Sequence, residues 1–151
     1  MPATSSKSDR PSQSAEDYLE RIQELIDEKG YARVVDIASS LEVTQASVTN
    51  MVQKLAETGF IDYEKYRGLT LTEKGGAVAA RIQKRHATLS RFFSLLGLDE
   101  PTQLRDIEGI EHHLSSVTVD CLNDLASVLE DHPDLMKKFR ARNNRAQPSD
   151  S

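Results

Sequence analysis

Along almost the whole chain apolar residues recur at three- and four-residue spacing, and this helical rhythm breaks to a strand-like one only between Phe60 and Leu71. A chain so patterned must build its core from packed helices with one small hairpin among them. The first helix is expected from near Ser14, a candidate cap with Asp17 at the capping-box position, to Lys29, where Gly30 stops it. Leu19, Ile22, Leu25 and Ile26 share one face of it. A short second helix is expected over Val34 to Leu41, and Thr44 caps a third that carries Val48, Met51, Val52 and Leu55 inward and ends at Gly59. Phe60 to Glu64 and Leu69 to Leu71 read as two short strands joined through Lys65 to Gly68. Three helices followed by a hairpin is the order of a winged helix-turn-helix. Four more helices are expected: from about Thr72 to Leu96, from Pro101 to about Ser115, from about Thr118 to Glu130, and briefly after Pro133.

The predicted fold is therefore mainly α, with an N-terminal winged helix-turn-helix domain over residues 14–72 and an all-helical domain over residues 73–142. Residues 1–13 and 143–151, rich in Ser, Pro and charge, read as a disordered arm and tail. The lone Cys121 excludes an internal disulfide, and no apolar run approaches the ~20 residues that cross a bilayer. No secretory signal precedes the first helix, so a cytoplasmic protein is expected. Leu89, Phe92, Phe93, Leu122, Leu125 and Leu129 form apolar stripes that divide between a subunit core and a dimer interface.

In a helix-turn-helix the second helix of the pair enters the major groove, so its outer face needs side chains that reach base edges. Here that face carries Gln45, Ser47, Thr49, Asn50, Gln53 and Lys54, and Asn and Gln suit bidentate contact with adenine. The hairpin tip adds Lys65, Tyr66 and Arg67 for phosphate or the minor groove. A merely solvated helix face and a merely soluble turn would look alike residue by residue; the order of elements favours DNA. The net charge of −5 argues weakly against it, unless a bound cation neutralises some carboxylates.

Candidate ligands for such a cation exist. Asp17 and Glu20 lie three apart on the first helix, and Glu108, Glu111 and His112 have i, i+3, i+4 spacing on the fifth. His86 falls in phase with Ile82, Leu89 and Phe93 on the fourth. Taken alone, Asp17 and Glu20 also fit a solvated helix start, and His86 fits a satisfied core histidine. Carboxylates with some imidazole suit Mn²⁺ or Fe²⁺ better than thiolate-preferring metals.

The segments Glu16-Asp17-Tyr18-Leu19-Glu20, Glu28-Lys29-Gly30-Tyr31-Ala32-Arg33-Val34, Met51-Val52-Gln53-Lys54-Leu55, Tyr63-Glu64-Lys65-Tyr66-Arg67-Gly68-Leu69 and Asp106 to Ser115 resemble the diphtheria-toxin-repressor family, in its manganese transport regulator branch. The resemblance implies a homodimeric, manganese-responsive repressor of manganese uptake that binds a palindromic operator. It also implies ligands at Asp17, Glu20, His86, Glu108, Glu111 and His112, holding two Mn²⁺ per subunit, with Fe²⁺, Co²⁺ or Zn²⁺ able to bind in vitro. Iron-responsive members resemble one another in having methionine where this chain has Asp17. A metal-independent winged-helix regulator is the alternative. A dimetal enzyme is disfavoured, because histidine follows Glu111 directly and no second Glu-x-x-His copy exists.

Overall fold

The computed structural model describes residues 11–64 and 68–143. These form two compact units that divide between Gln83 and Lys84.

In the first unit, α1 (Gln13–Lys29) is capped by Ser12, whose hydroxyl accepts the Ala15 amide at 3.2 Å. Ser14, the cap expected from sequence, lies inside the first turn, and Gln13, expected in the arm, begins the helix. The helix starts earlier because Ala15 and Tyr18 are buried, so the first turn is already held by the core. Gly30 ends it at φ 81, donating its amide to the Ile26 carbonyl. Next come α2 (Val34–Leu41) and α3 (Gln45–Glu57), the latter capped by Thr44, which accepts the Ser47 amide. Strands β1 (Ile61–Glu64) and β2 (Gly68–Leu71) pair antiparallel, with Ile61 opposite Leu71 and Glu64 opposite Gly68.

The hairpin is anchored to the loop before α2: the Leu69 amide donates to the Ala32 carbonyl at 3.0 Å. Gly68 permits this approach, since a Cβ there would stand 2.6 Å from the Ala32 oxygen, and its φ of +79° favours glycine. Leu19, Ile22, Ile37, Val48, Ile61, Leu69 and Ile82 are fully enclosed in one core that unites α1, α2, α3 and the hairpin. Each such leucine or isoleucine contributes about 2–5 kcal/mol relative to alanine.

The start of α4 (Glu73–Leu95) is tied to the end of α3. The Thr72 hydroxyl donates to the Gly59 carbonyl at 2.6 Å and accepts the Gly75 amide, while Lys74 Nζ donates to the Thr58 carbonyl and lies 4.4 Å from the Phe60 ring centre.

The second unit holds the remainder of α4 with α5 (Glu100–Ile110), α6 (Ser116–Glu130) and α7 (Pro133–Asn143). Leu89, Ile107, Val119, Ala126 and Met136 are its buried apolar residues. Arg91 joins α4 to α6, donating to both oxygens of Glu130 at 2.7 and 3.0 Å, to Asn123 and to Ser127. Leu89, one of the stripe residues, thus belongs to the subunit core, whereas Leu125 is exposed.

The fifth helix is shorter than its spacing predicts, ending at Ile110 rather than near Ser115. Ser115 is instead the extended N-cap of α6, accepting the Thr118 amide, so the chain must leave helical geometry before it. The arm over residues 1–10, the tail from 144 and the Lys65, Tyr66 and Arg67 tip lie outside the described residues. Among the described residues no helix is long and apolar enough to cross a membrane.

Candidate metal centre and nucleic-acid interface

The early end of α5 changes how its three candidate ligands are presented. Glu108 remains on the last helical turn and is exposed; Glu111 is the C-cap and His112 lies in the following turn. The latter two are buried, at 5% and 7% exposure, in spite of their polarity. The side chains of His86 and Glu111 meet, with His86 Nδ1 at 3.2 Å from Glu111 Oε2. The other carboxylate oxygen, Oε1, is 3.5 Å from His112 Nε2. One carboxylate therefore faces two imidazole nitrogens, one on each oxygen. Arg85, also buried, donates to the Glu111 carbonyl at 3.3 Å and so holds the backbone of the turn.

The donor chemistry of this cluster fits a divalent cation. Burial disfavours an isolated charged carboxylate, and a cation beside the His86–Glu111 pair removes that penalty while using an imidazole lone pair. His86 lies at the edge of its apolar stripe, with Ile82 and Leu89 fully buried and its own side chain 40% exposed. Asp17 and Glu20, in the first unit, are half-buried on α1. Arg85 escaped the sequence reading because an arginine among lysines on a basic helix stretch gives no sign of being buried. Glu16, buried on α1 next to Asp17, escaped it too, since its acidic neighbours make it look solvated.

On α3 the apolar and polar residues lie on separate faces. Val48 and Leu55 are buried, and Gln45, Ser47, Thr49, Asn50, Gln53 and Lys54 are all exposed. Two of the hydroxyls are committed locally: Thr49 donates to the Gln45 carbonyl, and Ser47 accepts from Thr44. Asn50 and Gln53 thus remain the best suited to bidentate base contact. On β1, Tyr63 projects into solvent at 70% exposure. Sequence reasoning did not select it, because strand alternation puts it on the same face as the buried Ile61 and so reads it as inward-facing.

Two known domain families match the chain, one after the other. Residues 11–69 match the family described as "Iron dependent repressor, N-terminal DNA binding domain". Residues 72–140 match "Iron dependent repressor, metal binding and dimerisation domain". The chain is 51% identical over 131 residues to the HTH-type transcriptional regulator MntR of Lysinibacillus sphaericus (strain C3-41), covering 87% of this chain and 94% of that protein. It is 50% identical over 131 residues to the regulator of the same name from Listeria monocytogenes serotype 4a (strain HCC23), covering 87% and 92%.

Among solved structures, the metal-dependent transcriptional regulator MtsR superposes with a TM-score of 0.71 at 26% identity, over 75% of this chain and 53% of that one. The manganese regulator SloR does so with a TM-score of 0.67 at 28% identity, over 75% and 53%. The chain spans about half the length of those two solved chains. With both family domains in sequence order and half of the matched residues identical to those of transcriptional regulators, the chain belongs to the iron-dependent (diphtheria-toxin) repressor family, in its manganese transport regulator branch, a group of metal-binding, dimerising DNA-binding regulators and not enzymes.

Proposed function

We propose that the chain is a manganese-responsive repressor that binds a palindromic operator as a homodimer when Mn²⁺ is bound, and so controls manganese uptake genes in the cytoplasm. The observation that carries the proposal is the buried Glu111 carboxylate beside the His86 imidazole at 3.2 Å, donors suited to a first-row divalent ion. The names of the MntR relatives and of the manganese regulator SloR support manganese in particular.

In this reading residues 14–72 bind DNA, and residues 73–142 bind metal and dimerise. Glu108, Glu111, His112 and His86 ligate together with Asp17 and Glu20, and two ions per subunit are proposed. A bound divalent ion supplies positive charge to the carboxylates and a fixed link among the side chains that share it. Asp17 and Glu20 belong to the helix that packs under α2, so ligation there restrains the frame that carries the recognition helix. Gln45, Asn50 and Gln53 then read base edges, with Ser47, Thr49 and Lys54 beside them, while the Lys65, Tyr66 and Arg67 tip contacts phosphate or the minor groove. To switch operator binding from largely off to largely on, the metal must favour the competent state by roughly 10⁴-fold, about 5.5 kcal/mol.

The test is operator binding by chelator-stripped protein with Mn²⁺ titrated in anaerobically, beside His112→Ala. Binding that appears only with Mn²⁺ and is lost in the variant is expected. Equal binding with and without metal would leave a DNA-binding regulator and remove manganese from its mechanism.

A further inference from the structure

Charge is sharply segregated in the second unit. From Asp106 to Asp134 the chain carries eight carboxylates and neither lysine nor arginine, and then Lys137, Lys138, Arg140 and Arg142 follow on α7. At 100° per residue Lys137 and Lys138 lie opposite the side that holds Met136 and Phe139, and Arg140 and Arg142 flank that apolar side. Met136 is buried and seats the helix, and Asn143 Nδ2 donates to the Leu96 carbonyl at 2.7 Å, fastening its far end. All four cations are exposed. None of them forms an ion pair with a carboxylate among the described residues, despite the acidic α6 alongside.

We propose that this basic face of α7 binds phosphates of the duplex flanking the operator. The α7 cations are not spent on the acids of their own unit, so their charge remains available to a polyanion. The chain binds DNA through its other unit, so the covalent connection raises the effective concentration of flanking phosphates at α7 where both can engage one duplex. Duplex DNA offers about one negative charge per 1.7 Å, and each neutralised phosphate releases counterion. The proposal rests on DNA binding by this family and is independent of which metal is sensed.

The experiment uses full-length protein and a duplex selected by the wild type from a random-sequence pool. That duplex is prepared as the protected core alone and with added flanks, and binding is measured over a salt series. The comparison is a variant with Lys137→Gln, Lys138→Gln, Arg140→Gln and Arg142→Gln together, its fold and oligomeric mass checked by circular dichroism and sedimentation. On the flanked duplex the wild type is expected to bind more tightly than on the core, with a salt slope steeper by about 0.9 per added phosphate contact. The variant should lose that gain while matching the wild type on the core duplex.

An equal flank gain in both proteins overturns the proposal. So does a loss of the same size on core and flanked duplexes, which would be the long-range effect of net charge. Unchanged flank dependence with loss of binding to phosphatidylglycerol vesicles would assign the face to a membrane surface instead.

Discussion

Glu130 accepts two hydrogen bonds from the Arg91 guanidinium, and this holds its carboxyl below the ordinary carboxylate value. A carboxyl whose pKa is lowered by folding stabilises the native state above its unfolded value, and that contribution fades as pH falls through the lowered native one. Thermal unfolding of wild type and Glu130→Gln should therefore differ most near neutrality, with the gap closing as pH falls through and below the ordinary carboxylate value. Because both groups are partly exposed, added salt should shrink the gap as well. Asp17 allows a different prediction: if its hard oxygen helps select manganese, Asp17→Met should shift the ranking of metals that activate operator binding toward Fe²⁺. An unchanged ranking in that titration would count against the role given to Asp17. The candidate ligands were legible because charge and imidazole on helical spacing stand out in sequence. The burial of Glu111 and His112 and the support from Arg85 were not, since they depend on where the chain turns after Ile110.

Among the elements, the junction between α3 and α4 is the most constrained by close approach. A Cβ at Gly75 would lie 1.9 Å from the Phe60 carbonyl oxygen, whereas one at Gly76 meets nothing within 4 Å. Gly75→Ala should thus destabilise by about 1–3 kcal/mol in denaturant unfolding. In the same helix Gly76→Ala should be neutral or stabilising by up to ~1 kcal/mol. A pair of equal losses would show that the crowding at Phe60 is not what matters. At the other end of α3, Thr44→Ala removes the cap and should cost about 1 kcal/mol. Boundaries were read well where one residue dictates the backbone, as at Gly30 and Thr44. They were read poorly where two candidates compete: Ser12 against Ser14 at the start of α1, and continued helix against the Ser115 cap at the end of α5. In both cases packing or the next element decided, which local spacing does not encode.

At the scale of the molecule, each unit encloses its own apolar residues, with Leu19 and Ile22 fully buried in the first and Leu89 and Ile107 in the second. Truncating Leu89 to alanine, a loss of about 2–5 kcal/mol, should accelerate amide hydrogen exchange in α5 and α6 more than in α2 and α3. Uniform acceleration along the chain would mean that the two cores open together. The order of helices and hairpin carried the fold class, because periodicity reports which faces are buried. It could not apportion the apolar stripes of the second half, and Leu89 proved to be core while Leu125, Val117 and Val128 remain exposed. The exposed Cys121, on α6 and alone of its kind in the chain, has a practical use. In a homodimer it provides two thiols and hence a single inter-subunit distance, so a spin label at that position would report rearrangement of the paired subunits without any engineered cysteine.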